Sequence, residues 1–127
     1  MATEKEREYA RRYRIKNRER LLLKDKTYRN SVRKIRRRED RIKVINHYSK
    51  GLSECDCCGE KEIKFLVLDH IDGEGNAHRR KEKIASGRGT IEWIIKNNFP
   101  PMFQILCQNC NLAKAIYGEC PHKINKK

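Results

Sequence analysis

Phe103-Gln104-Ile105-Leu106-Cys107-Gln108-Asn109-Cys110-Asn111 is the stretch on which the fold turns. Its first four residues read as a short strand, and the segment from Cys110 to about Tyr117 reads as a helix closed by Gly118. The cysteine pair therefore sits at a strand-to-helix junction. A matching pair, Cys55-x-x-Cys58, lies upstream and is followed by the turn-forming Gly59. A two-residue gap lets both thiolates of such a knuckle converge on one tetrahedral ion at about 2.3 Å. Cys55, Cys58, Cys107 and Cys110 thus predict one structural zinc. The 48 residues between Cys58 and Cys107 exceed the spacer of a simple zinc ribbon, so the ion would close most of the domain into one loop. Structural zinc contributes roughly 10–16 kcal/mol of apparent binding energy, enough to decide the folding of a small domain.

Inside that loop, Phe65-Leu66-Val67-Leu68 is a second apolar run, a strand that ends on Asp69-His70. Successive strand residues project to opposite faces, so one of the pair can ligate a metal while the other addresses a water. Asn111, in the first turn of the last helix, can offer its carbonyl oxygen to the same ion. Oxygen ligands of this kind suit magnesium or manganese. A neutral imidazole, with an ordinary pKa near about 6.5, is suited to take a proton from an attacking water. Asp69, His70 and Asn111 are accordingly the candidate catalytic residues. Residues 72–90 contain Gly73, Gly75, Gly87 and Gly89 and read as loop, with His78 and Arg79 as candidate phosphate contacts. Lys114, one turn beyond Asn111, is another. Residues 91–97 read as a short helical turn whose Trp93 belongs to the core. Cys57 and Cys120 read as packing, although Cys120-Pro121-His122 could be half of another metal site for which no partner pair is evident, and His47 and His122 receive no role.

Charge divides the chain. Residues 1–46 hold 18 Lys/Arg against 7 Asp/Glu, whereas the whole 127-residue chain carries +14. That first segment has no Gly or Pro and predicts one long helix, or two joined near Thr27 to Ser31. Leu21, Tyr28, Ile35 and Ile42 recur every seven residues, a stripe too narrow for a helix buried in a globular core and compatible with pairing two chains. Arg11, Arg12, Arg14, Arg18, Arg33, Arg36, Arg37 and Arg38 are the residues expected to track phosphates, which makes nucleic acid the expected partner. The expected division is a basic helical arm over 1–46 and a zinc-stabilised domain over 47–127. No run of about 18 apolar residues and no apolar leader is present, so a membrane partner is not expected, the location is expected to be intracellular, and the six cysteines are expected to be thiols or metal ligands.

Leu68-Asp69-His70-Ile71-Asp72-Gly73, then Gly75-Asn76-x-His78-Arg79, then Phe103 to Lys114 together resemble the HNH endonuclease family, most closely its small phage-type members, whose tails also read Tyr-Gly-x-Cys-Pro-His as residues 117–122 do. The resemblance covers about residues 44–122. It implies an α+β fold with a ββα-metal finger, preceded here by the basic helix, and a metal-dependent nuclease of double-stranded DNA. In that scheme Asp69 ligates the catalytic Mg²⁺ or Mn²⁺, His70 is the base, and Asn111 stands where the final histidine of the motif would be. Met102 departs from the pattern, because many members carry there an asparagine that orients the base; a backbone carbonyl is the candidate substitute. The alternative expectation is a zinc-containing DNA-binding protein without catalysis.

Overall fold

Thr3 begins the first helix. In the computed structural model, which describes residues 1–124, its hydroxyl accepts from the Glu6 amide at 3.3 Å while its own amide donates to the Glu6 carboxylate at 2.6 Å. This reciprocal cap satisfies two of the amides that a helix start leaves without intrahelical partners. Helix α1 (Glu4–Lys16) buries no residue. It ends at Asn17, whose side-chain amide donates to the Tyr13 carbonyl at 2.8 Å, and α2 (Arg18–Tyr48) follows at once. The junction expected near Thr27 to Ser31 is absent because both hydroxyls fold back onto the helix, Thr27 donating to the Leu23 carbonyl and Ser31 to that of Thr27. The segment does form two helices, but they part at Asn17, well before the expected junction.

The chain divides into two compact units, residues 1–37 and 38–127. In the first, the arginines stand exposed, as do Tyr28 and Ile35 of the seven-residue stripe. The second unit takes in the end of α2, where Val44 and Ile45 are buried. A division at residue 46 would cut these two side chains away from the core they help to build.

Strand β1 (Leu66–His70) pairs antiparallel with β2 (Phe103–Cys107), placing Leu66 opposite Cys107, Asp69 opposite Gln104 and His70 opposite Phe103. A 3-10 turn (Ile63–Phe65) leads into β1, and β2 leads directly into α5 (Gln108–Tyr117). One apolar cluster gathers Ile45, Leu66, Ile105 and Leu106 with five of the six cysteines. The other gathers Val44, Ile94 and Phe103, and Trp93 and Met102 pack against it. Tyr48 touches both clusters and donates its hydroxyl to the Pro100 carbonyl at 2.7 Å. Each such buried aliphatic or aromatic side chain contributes about 1.5–3 kcal/mol.

The glycine-rich segment is not the loop that its composition suggests. It forms α3 (Gly75–Lys81) and the start of α4 (Gly87–Lys96). The glycines lie at the helix ends, leaving residues 76–81 uninterrupted, and the Ser86 hydroxyl caps α4 by accepting from the Gly89 amide at 3.3 Å. A final turn, α6 (Pro121–Ile124), follows Gly118, whose φ of +78° closes α5. The described part is thus α+β, mostly helical with one two-stranded sheet. Among the described residues, no helix is long and apolar enough to cross a membrane.

Candidate functional site

The two cysteine knuckles meet. The Sγ atoms of Cys55, Cys58, Cys107 and Cys110 all lie within 4.8 Å of one another, a group able to hold a metal ion. Cys58 Sγ stands 3.7 Å from Cys107 Sγ. Sulfurs bound tetrahedrally at about 2.3 Å would be separated by about 3.8 Å, so the spacing suits an ion of zinc's size. Within each knuckle the later amide donates to the earlier sulfur, Cys58 to Cys55 and Cys110 to Cys107, both at 3.5 Å. Such bonds favour the thiolate. At Cys55, burial opposes ionisation, but amides from Cys58, Cys107 and Cys57 outweigh it and bring the thiol down to about 7. Burial instead pushes the Cys110 thiol up, together with hydrogen bonds from the surrounding sulfurs. Ligation there has to displace the proton. Cys120, read as packing, and His122, given no role, come up to this same centre: His122 Nδ1 lies 3.3 Å from Cys110 Sγ and 3.5 Å from Cys120 Sγ.

Asp69, His70 and Asn111 line one cleft of about 220 Å³, with Gly73, Gly75, Asn76 and Arg79 completing its wall. The strand end supplies the first two and the first turn of α5 supplies the third. Asp69 is held by a single oxygen: its Oδ2 accepts from Lys114 Nζ at 2.6 Å and from Gln104 Nε2 at 2.8 Å. Gln104 can do so because it sits directly opposite Asp69 in the strand register. Sequence reasoning missed Gln104, although any residue paired with the motif aspartate is a candidate for holding it.

Lys114 is not a free hand for phosphate. Besides Asp69, its ammonium donates to the carbonyls of His70 at 2.8 Å and Ile71 at 3.2 Å, which occupies all three of its hydrogens. It ties α5 to the end of β1.

His70 is buried, and its Nε2 lies 3.1 Å from Nδ1 of His78. His78 therefore occupies the orienting place for which a backbone carbonyl was the candidate. It is turned inward, its Nε2 buried with no hydrogen-bond partner among the described residues, and Trp93 packs edge-on against its ring at 4.4 Å. Neither ring nitrogen is thus turned toward a phosphate in this arrangement. Met102 contributes its carbonyl to the Ile71 amide at 3.1 Å, while its side chain packs in the core. Desolvation, reinforced by the neighbouring His78 and Arg79, lowers the pKa of His70 below the ordinary imidazole value and favours its neutral form. The other ring nitrogen, Nδ1, faces Gly75 so closely that a Cβ there would come within 3.0 Å of it. Glycine leaves that edge of the imidazole open.

Arg79 lies between two cavities. It lines the cleft and also a neighbouring depression bounded by Asn76, Arg80, Lys83, Ile84 and Ala85. Asn76 Oδ1 accepts from the Arg79 guanidinium at 2.6 Å, fixing that cation at the shared rim. The arginines expected at phosphates in residues 1–37 are all exposed, and Arg38, at the start of the second unit, is exposed too. No family model matches the chain, and no curated protein or solved structure is similar enough to it to count as a match.

Proposed function

We propose that the chain is a metal-dependent DNA endonuclease of the HNH kind with a structural zinc on Cys55, Cys58, Cys107 and Cys110. One observation carries the reading: Asp69, His70 and Asn111, the last far from the others in sequence, line the same small polar cleft beside Arg79. A strand carrying Asp-His, an antiparallel strand and a helix carrying Asn follow one another in the order that the HNH resemblance implies.

The roles follow from the side chains. His70, kept neutral by burial and held through Nε2 by His78, presents Nδ1 as the base that takes a proton from water. The Asp69 carboxylate, through the oxygen that Lys114 and Gln104 leave open, and Asn111 are the groups that would hold a divalent ion. A carboxylate and an amide oxygen are hard donors suited to magnesium, which commonly binds one or two carboxylates plus substrate phosphate. When bound, such an ion supplies charge stabilisation at the departing 3′ oxygen. Arg79 meets the phosphate at the rim, with Arg80 and Lys83 extending the positive surface along the strand. The net charge of +14 supplies affinity that is independent of base sequence.

The test is nicking of supercoiled plasmid by zinc-loaded protein with and without magnesium, for the wild type and His70→Ala. Magnesium-dependent nicking that the variant loses is expected; nicking that survives in His70→Ala refutes the mechanism. A second reading, a zinc-containing DNA-binding protein without catalysis, draws on one feature. The Lys114 ammonium lies 2.6 Å from Asp69 and already neutralises the carboxylate that would hold the ion. Plasmid binding without cleavage under magnesium or manganese would select it.

A further inference from the structure

Four side chains around Cys110 form a second ligand group. The Sγ atoms of Cys57, Cys110 and Cys120 and a ring nitrogen of His122 all lie within 4.8 Å of one another, as the first four sulfurs do. Cys110 belongs to both groups. We propose that the body holds two zinc ions in one cluster, the first on Cys55, Cys58 and Cys107, the second on Cys57, Cys120 and His122, with the Cys110 thiolate bridging them.

Ligand arithmetic favours this over a single ion. Two tetrahedral ions need eight ligand positions; six cysteines and one histidine fill them when one thiolate is counted twice. The chain has six cysteines, and this scheme uses every one. With a single ion on the first group, Cys57, Cys120 and His122 would surround an already bound sulfur as three good ligands with no ion of their own.

The geometry agrees with the chemistry. An imidazole nitrogen at about 2.0–2.1 Å and a thiolate at about 2.3 Å on one tetrahedral ion lie about 3.5 Å apart. His122 Nδ1 stands 3.3 Å from Cys110 Sγ and 3.5 Å from Cys120 Sγ. Cys110 is fully buried at the meeting point, and Cys57 and Cys120 are buried to 3% and 5% exposure. The backbone is shaped for it as well. Cys57 lies between the two members of the first knuckle, yet its sulfur joins the other group. Gly118, at φ +78°, turns the chain after α5, so that Cys120 and the short turn α6 bring His122 back to the start of that helix. Thiolate and imidazole ligands in a tetrahedral set select zinc among the common divalent ions, and each thiol gives up its proton on binding.

The inference rests on the zinc reading of the first group but not on the nuclease assignment. Native mass spectrometry of the full chain, purified with added zinc, counts the ions directly. Two per chain are expected, falling to one in the double variant Cys120→Ser/His122→Ala. Cadmium substitution followed by cadmium NMR then reads the bridge, with two resonances split by coupling through the shared sulfur. One ion in the wild type overturns the second site and leaves the single-zinc reading standing; none overturns both. Two ions whose cadmium resonances are uncoupled overturn the bridge.

Discussion

Lys114 offers the sharpest test of whether the cleft is built as described. Its ammonium and the Asp69 carboxylate are 2.6 Å apart, with side-chain exposures of 23% and 15%. Replacing it by Met keeps the length of the stem and deletes the charge. Asp69 Oδ2 then retains only Gln104, and the Ile71 carbonyl loses its ammonium donor. Breaking a fully buried pair costs about 3–5 kcal/mol, because the remaining charge is stranded. The partial exposure here lowers the expected loss to about 2–3 kcal/mol. For a domain of this size each kcal/mol moves the melting temperature by about 4–8 °C, so Lys114→Met should melt about 8–24 °C lower at a fixed, saturating zinc concentration. Asp69→Asn in the same chain removes the stranded charge and should recover about half of the loss, a coupling that a double-mutant cycle reads directly. Lys64→Met, at an exposed site, serves as the control and should stay within about 0.5 kcal/mol. If Lys114 served phosphate instead, the substitution would weaken DNA binding and leave melting unchanged. A drop in melting temperature smaller than about 3 °C would refute the structural role.

Gly75→Ala places a Cβ 3.0 Å from His70 Nδ1 and 3.4 Å from the Arg79 guanidinium. Displacement by about 1 Å costs on the order of 100-fold in rate, so a shift of a few tenths should slow single-turnover cleavage several-fold without harm to melting; an unchanged rate would argue that Nδ1 is not the working edge. Deleting residues 1–37 should reduce DNA affinity and flatten its salt dependence by about 0.9 for each phosphate no longer neutralised, as measured by anisotropy titration at several salt concentrations. Deleting 1–46 should in addition unfold the body by removing Val44 and Ile45 from its core, and equal melting of the two truncations would contradict that packing. Burial pushes Tyr48 up to about 12 from 10.0, so the fold favours its neutral form. Its contribution to stability is complete below pH 10 and is lost as pH rises toward 12. Tyr48→Phe should therefore show a shallower loss of stability over that window in urea titrations, and parallel curves would remove the tyrosine as the cause.

The parts of this molecule that are legible in the sequence are those specified locally. A two-residue gap between cysteines is a chelate geometry whatever surrounds it, and an apolar run ending in Asp-His reads as a strand without tertiary knowledge. Glycine misleads where it marks helix ends and not loops: residues 76–81 are too short a run to announce a helix, and α3 emerges only between Gly75 and the turn beyond Lys81. Thr27 and Ser31 mislead in the opposite sense, because a hydroxyl either breaks a helix or bonds back within it, and which it does depends on conformation. Residue type alone sends His78 and Lys114 to solvent and phosphate, yet both point inward. Their depth is set by Trp93 and by the strand ends, which no spacing rule encodes. The second ligand group shows only in part: Cys120-Pro121-His122 reads as half of a metal site, but its partners are Cys57 and Cys110, and Cys110 already has a role in the first. A search for a matching pair of cysteines does not find a group that borrows one.

Helix α5 joins the two centres. Cys107 caps its N-terminus, and Cys110, Asn111 and Lys114 follow within its first two turns. The first two carry sulfur to the metal group, the third lines the cleft, and the fourth holds Asp69. On the zinc reading, loss of the sulfur-bound metal would free the N-terminal end of α5, and with it Asn111 and the clamp on Asp69. If the chain is the proposed nuclease, cleavage would then stop even though no sulfur-bound ion touches the substrate. Chelator sensitivity is for this reason not evidence of a catalytic ion in this fold. Omission of magnesium from zinc-loaded protein perturbs only the cleft, and is the comparison that separates a metal holding the helix from a metal serving the phosphate.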